Sequence, residues 1–254
     1  MESYFRRYKR QMIMENFGKE AQLRLKNSAA FIGGIGGLGG TAAAYLAMAG
    51  IGKLVIAHSG NLTETNMNRQ ILMDCARIGE PRVDIAADTF RKLNPDMEIE
   101  MHNVRLLPEN TPALIKGCQV AVSARPTFYE RKNLNRACVQ ERVPMIEAAM
   151  DGMTGYLFTV NPFKTACLDC MVEKDVNDWE EFGFGVLGAV SGTIGCLAAA
   201  EAVKIITGFG EPLGNKMFYM DLADFRTRHV ELKRNPACRT CGGELAMTVG
   251  SATV

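Results

Sequence analysis

Two rhythms of apolar residues alternate along the chain: short continuous runs, and longer stretches in which apolar positions recur every three or four residues. The first rhythm suits buried strands and the second suits helices. Residues 16–27 read as a helix with Phe17, Ala21, Leu23 and Leu25 at its apolar positions. Residues 29–35 form a buried run that leads through a glycine turn into a helix over 38–49. A second apolar run covers 54–57. Residues 81–93 are helical, with Pro81 in the first turn and Val83, Ala86, Ala87 and Phe90 at helical spacing. Residues 98–104 alternate as a strand, 120–123 read as a further buried strand, and 130–141 as a helix. Strands follow at 144–150 and 155–160, then a helix over 190–207 ended by Gly208. Residues 217–222 and 227–233 close as a hairpin. Strands alternating with helices predict the α/β class, a mostly parallel sheet with helices on both faces, followed by an antiparallel C-terminal extension. The stretch 173–185, with Trp179 among Asp175, Asp178, Glu180 and Glu181, is expected to be a mobile loop.

Composition and charge add limits. Of 254 residues, 47% are hydrophobic and 22% charged, the balance of a folded globular chain. Twenty-nine Lys and Arg against twenty-eight Asp and Glu leave no net field for coating a polyanion, so no nucleic-acid partner is expected. Residues 28–52 and 182–200 carry no charge, which raises a membrane question. Glycines interrupt both, eight in the first and five in the second, and both read as buried segments of a soluble protein. No apolar signal core follows the charged N-terminus, and a cytoplasmic location is the expectation. A single domain over 1–254 is expected, with a nucleotide-binding half at about 28–125 and a substrate- and zinc-binding half at about 126–243.

The eight cysteines sort by spacing. Cys167 with Cys170, and Cys238 with Cys241, form two C-x-x-C pairs, while Cys75, Cys118, Cys138 and Cys196 stand alone. In a chain without an export signal, two such pairs read as a four-thiolate zinc site; a redox pair or plain core cysteines are the alternatives. The second pair sits in a turn-rich stretch, Asn235-Pro236-Ala237-Cys238-Arg239-Thr240-Cys241-Gly242, which suits a chelating knuckle. Four protein ligands leave no open coordination position, so the metal would be structural. It would tie the C-terminal tail to the middle of the chain across 67 intervening residues.

Gly34-Ile35-Gly36-Gly37-Leu38-Gly39 matches G-x-G-x-x-G between a strand and a helix, the Rossmann-like arrangement in which backbone N–H groups meet phosphate oxygens. It is not a P-loop, since no Gly-Lys-Ser/Thr follows. A dinucleotide would want an acidic residue after the second strand, and the sequence there is Ile56-Ala57-His58-Ser59-Gly60-Asn61. A dehydrogenase is disfavoured.

This glycine motif, then Thr65-Asn66-Met67-Asn68-Arg69-Gln70, then the two cysteine pairs, resemble the ThiF/MoeB/HesA family, relatives of ubiquitin-activating enzymes. Arg7-Tyr8-Lys9-Arg10-Gln11, Leu93-Asn94-Pro95, Arg131 with Asn135 and Cys138, and Gly185-Val186-Leu187-Gly188 add to the resemblance, which runs from Tyr8 to Gly243. It implies ATP-dependent adenylation of a carboxylate with release of pyrophosphate, a structural zinc, and Mg2+ with the nucleotide. Cations must then neutralise charge on the phosphates. The resemblance implies that Arg69 and Asn66 contact the triphosphate, with Arg82 in the place of a family lysine and Gly34, Gly36, Gly37 and Gly39 forming the nucleotide loop. Arg10 resembles an arginine that reaches into the neighbouring subunit's site, which implies a homodimer.

Two departures from the family pattern stand out. Its acidic ribose ligand falls on His58 or Gly60, and its magnesium-linked aspartate falls within Ser123-Ala124-Arg125-Pro126-Thr127. Arg125 is expected to take over part of the neutralising role. Residues 171–186 hold no cysteine, and Cys196 reads as core, so no thioester step is expected. The preferred substrate is a small-molecule cofactor precursor such as guanylylpyridinol. The alternatives are the Gly-Gly C-terminus of a small ubiquitin-like sulfur carrier protein, or a non-catalytic nucleotide-binding scaffold.

Overall fold

A computed structural model of the chain describes residues 2–172, 174 and 183–242. Short N-terminal helices α1 (Glu2–Arg7) and α2 (Lys9–Met12) precede α3 (Gly18–Lys26). An alternating series follows: β1 (Ala29–Gly33), α4 (Gly37–Ala49), β2 (Lys53–Ala57), α5 (Arg82–Leu93), β3 (Glu98–His102), α6 (Thr111–Ile115), β4 (Val120–Ser123), α7 (Phe128–Gln140) and β5 (Met145–Asp151). Then come β6 (Thr154–Val160), α8 (Leu168–Met171), α9 (Gly188–Thr207), β7 (Lys216–Asp221) and β8 (Arg226–Glu231). The expected strands and long helices are present, with ends shifted by a few residues. Helices α1, α2 and α6 are too short to leave a periodic signal. Most of the expected loop at 173–185 lies outside the described residues.

One eight-stranded sheet has the order β3-β2-β1-β4-β5-β6-β7-β8. β3 through β5 are parallel and β5 through β8 antiparallel, as the change of pattern late in the chain predicts. The order reverses between β1 and β4. That switch point is where an open parallel sheet opens a crevice beyond the carboxyl ends of its strands.

Alternation along each strand serves two cores. Ala30 and Ile32 of β1, Leu54 and Ile56 of β2, and Val120 and Val122 of β4 pack on α4, α5 and α9. Phe31, Val55 and Ala121 face the other side with Leu134, Ala137 and Cys138 of α7. Strands covered on both faces need continuous apolar runs, which is why these stretches read so plainly. α9 is the one helix among the described residues long and apolar enough to cross a membrane. Here it packs against α4, β5 and β6 as a core helix. Its outer side is not buried: Cys196, expected in the core, is exposed. An almost uncharged helix hides the difference between its two faces from a periodicity argument.

The three glycines of the motif do different work at the β1–α4 turn. Gly34 has φ +108, a conformation that a side chain resists, and a Cβ there would stand 2.7 Å from the Ala124 carbonyl oxygen. A Cβ on Gly39 would be driven into the Gly34 carbonyl oxygen, so only glycine lets α4 begin so close to β1. Gly36 has nothing within 4 Å of its added Cβ. Its openness leaves the amides at the start of α4 approachable. Gly39→Ala should therefore destabilise the fold by about 3 kcal/mol or more, read as a lowered denaturation midpoint. Gly36→Ala should keep the midpoint within about 0.5 kcal/mol of the parent and weaken binding of Mg-ATP, measured by calorimetry.

Candidate active site and metal centre

The crevice at the switch point gathers four elements. The glycine turn lies at its floor. The N-terminus of α9 closes on the segment before α5: a Cβ on Gly37 would meet Ser191 Oγ at 2.5 Å and Arg69 Cβ at 3.1 Å, and a Cβ on Gly188 would strike the Asn68 carbonyl oxygen. Small residues at these points let two helix N-termini and Arg69 crowd together. Such ends favour anions, because their first amides point outward without partners.

Arg69 is half-buried, and its Nη1 donates to the Thr65 carbonyl at 2.7 Å and to Asn68 Oδ1 at 2.8 Å. Arg82, the first residue of α5, donates through Nη2 to the Ser59 carbonyl at 2.8 Å and through Nε to the Gly60 carbonyl at 3.3 Å. Burial, and then the positive charges of Arg125 and Arg69, push the Arg82 pKa down to about 10. Arg82 is thus close enough to Arg125 and Arg69 to be repelled by both. Among the described residues, neither Arg69 nor Arg82 pairs with a carboxylate. Asn66 is buried, and its Oδ1 caps the Thr63 amide at 3.0 Å. What it can offer a ligand is its Nδ2 amide.

Arg125 is differently placed. It is buried, with Nη2 on Glu130 Oε2 at 2.9 Å and Nη1 on His58 Nδ1 at 2.8 Å. Its charge is offset by Glu130, whose other oxygen accepts the Leu106 amide at 3.0 Å. The sequence reading missed Glu130. A signal existed in Thr127-x-x-Glu130, since Thr127 caps α7 by accepting the Glu130 amide. That motif points to a helix start and says nothing of a carboxylate turned to an arginine. Arg10 lies apart from the cluster, exposed on α2, which packs on α1 and α3.

The four paired cysteines meet across the chain. Cys167 Sγ stands 3.9 Å from Cys170 Sγ and 3.7 Å from Cys238 Sγ, and Cys170 Sγ stands 3.4 Å from Cys241 Sγ. All four sulfurs lie within 4.8 Å of one another. Tetrahedral zinc with bonds of about 2.3 Å places sulfurs roughly 3.8 Å apart, so this donor set fits the metal. Burial pushes the Cys241 thiol up to about 11 and raises that of Cys167. Cysteines crowded in this way resist ionising together unless a cation joins them. The Asn235 amide donates to Cys170 Sγ at 3.4 Å, and the Arg234 guanidinium to the Cys241 carbonyl.

Asp169, inside the first pair, was not singled out from the sequence. It is buried, accepts from Thr240 Oγ1 at 2.6 Å and Arg136 Nε at 3.2 Å, and pairs with Lys132 Nζ at 3.2 Å. Burial would raise its pKa, but these donors hold it below the ordinary range. It therefore links both cysteine pairs to α7. Purified protein should contain about one zinc per chain by metal analysis. Cys238→Ser should lose the metal and loosen the C-terminal region, read as faster proteolysis after residue 231.

With this geometry in view, the comparisons are specific. The ThiF family model matches residues 8–240. Protein HesA of Leptolyngbya boryana is 46% identical over 236 residues, covering 93% of this chain and 85% of that protein. The molybdopterin-synthase adenylyltransferase of Salmonella typhimurium is 33% identical over 240 residues, covering 93% and 96%. Among solved structures, E. coli MccB with MccA-N7isoAsn superposes with a TM-score of 0.84 at 22% identity, over 94% of this chain and 75% of that one, a likeness of fold. The family match spans the glycine turn, the arginine crevice and three of the clustered cysteines, Cys167, Cys170 and Cys238. The chain belongs to the ThiF family of carboxylate-activating adenylyltransferases.

Proposed function

We propose that the chain adenylates the C-terminal carboxylate of a small ubiquitin-like carrier protein and stops at the acyl-adenylate. The carrying observation is the pair Arg69 and Arg82, which repel each other and have no carboxylate partner among the described residues. A polyphosphate relieves that repulsion. One carboxylate oxygen attacks the α-phosphorus of ATP, the bond from that phosphorus to the bridging oxygen breaks, and pyrophosphate departs. Arg69 and Arg82 stabilise the charge that builds on the phosphates, with Mg2+ accompanying the nucleotide. Zinc, held by Cys167, Cys170, Cys238 and Cys241, would act in structure alone, since four thiolates leave it no open position.

The expectation of a small-molecule substrate such as guanylylpyridinol drew on the unusual residues His58 and Arg125. These two bond to each other, so their presence has a local explanation that implies no particular substrate. A protein substrate draws support from the antiparallel extension. β8 is an edge strand exposed along its whole length, and Phe225 before it is 82% exposed. An edge strand offers unpaired backbone groups to another chain. The relative named for molybdopterin synthase, itself a protein, points the same way. The absence of cysteine from residues 171–186 supports release of the acyl-adenylate without a thioester.

A homodimer fits the exposed apolar residues around Arg10. Ile13 is 73% exposed, and Met14, Tyr45 and Met48 are also exposed. Covering them with a second copy would bring Arg10 to an intermolecular position.

Given Mg-ATP, the protein should catalyse ATP–pyrophosphate exchange with a carrier ending in Gly-Gly and not with guanylylpyridinol. Exchange with guanylylpyridinol alone would restore the small-molecule reading, and ATP binding without exchange would favour a scaffold. Arg69→Ala should lower exchange by about 100-fold or more, since one preorganised charge contact is worth a few kcal/mol. Mixing Arg10→Ala with Arg69→Ala subunits should restore exchange in the mixed dimers, each with one intact site. No recovery would refute the shared site.

A further inference from the structure

We infer that Gln11 is a positioning residue for Arg10: it clamps helix α2 onto the C-terminal end of α4 and so fixes where the guanidinium leaves the protomer. This rests on the reading of Arg10 as a group that serves the partner's site. Arg10 is exposed, and among the described residues no carboxylate or carbonyl holds its side chain. Its placement therefore falls to α2, the single turn that carries it. A helix of four residues does not hold its own shape, because starting a helix costs more than one turn of hydrogen bonds returns. Something outside α2 must hold it.

The holding contacts all converge on the end of α4. Gln11 Nε2 donates to the Ala49 carbonyl at 2.7 Å and to Gln22 Oε1. Gln22 is fully buried, and its own Nε2 donates to the same Ala49 carbonyl at 3.1 Å and to the Tyr4 hydroxyl oxygen at 2.8 Å. The Tyr4 hydroxyl in turn donates to the Gly50 carbonyl at 3.1 Å. Asn94 Nδ2 donates to the Ala47 carbonyl at 2.9 Å and to the hydroxyl of buried Tyr8 at 3.3 Å. Ala47, Ala49 and Gly50 stand where the carbonyls of α4 run out of helical partners, so side chains satisfy them instead. Gly50 has φ +92, and a Cβ on it would lie 2.6 Å from Tyr8 Cζ, so the arm and the helix end close without room for a side chain. Of these anchors, Gln11 is the one beside Arg10 on α2 itself. Removing its amide leaves the buried Gln22 Oε1 without a donor, a cost that favours lifting the arm. The end of α4 keeps Gln22 and Asn94, so the nucleotide turn at its other end stays in place.

The test is complementation between co-expressed full-length chains, read as ATP–pyrophosphate exchange with a Gly-Gly-ended carrier. Gln11→Leu, and the isosteric Gln11→Glu that keeps the shape without the donor, should each lower exchange about tenfold or more as homodimers, since misplacing a reacting group is costly. Paired with Arg69→Ala, each should recover about a quarter of the parent exchange, because half of the dimers are then mixed and hold one intact site. Paired with Arg10→Ala, neither should recover, because both sites receive a defective arm. A glutamine that supports only its own protomer's site gives the reverse pattern, recovery with Arg10→Ala and none with Arg69→Ala. That pattern, or parent-level exchange by both Gln11 variants, overturns the inference while the Arg10 reading stands. Failure of Arg10→Ala and Arg69→Ala to complement each other, or a parent without exchange, overturns both. Thermal unfolding checks the fold, and loss of the fold in both Gln11 variants makes the residue structural and equally overturns the inference.

Discussion

The contact on which the site depends is a backbone approach that no side chain would permit. Gly39, in the first turn of α4, lies against the carbonyl of Gly34, and the Ala124 carbonyl presses on Gly34 from the loop after β4. Three pieces of backbone share a volume that one methyl group would fill. Because they do, α4 starts immediately after β1, and its first amides open into the crevice at the switch point. The same economy of side chains recurs where Gly37 and Gly188 admit Ser191 and Arg69. Every charged group of the site is referred to this frame.

Charge is then distributed unevenly over that frame. Arg69 and Arg82 are tethered through backbone carbonyls and an amide oxygen, contacts that orient a guanidinium without cancelling its charge. Arg125 instead meets a carboxylate, while its charge still acts on Arg82 and His58 beside it. Two guanidiniums of the crevice thus have no carboxylate partner among the described residues, and the third is bonded into its wall. His58 joins that wall, linking the β4–α7 loop to the glycine turn through one ring nitrogen.

The cysteine cluster solves a different problem. Among the described residues, the stretch around Cys238 and Cys241 has no strand or helix to anchor it, and Cys238 and Cys241 join the apolar cluster that includes Leu134, Ala137 and Cys138 of α7. A metal joining four thiolates would supply what apolar burial alone does not. Asp169 extends the tie to Lys132 and Arg136 of α7, which also carries Glu130 and Arg131. The helix that shapes one wall of the crevice is thereby braced from behind by Asp169 and the cysteine cluster. Arg131 adds a second buried brace through Glu147 and Tyr156.

The sequence by itself determined the elements, the two-sided parallel sheet and the two cysteine pairs, because each is written in local spacing. Apolar runs of strand length, glycines three and five apart, and paired cysteines three apart constrain the chain wherever it goes. It also marked Arg69, Arg82 and the glycine turn, through the order of motifs along the chain. Only the tertiary structure decided the charge state and partners of those groups. Arg125 looks like a free cation in sequence and is neutralised by a carboxylate five residues on, across a helix start. His58 is a lone histidine until Ile35 and Arg125, brought from two other elements, bond to its Nδ1. Cys196 shows the same limit, since a helix apolar on all sides does not say which side meets solvent. Pairing and burial depend on distances between residues far apart in the chain, and local spacing carries no information about them.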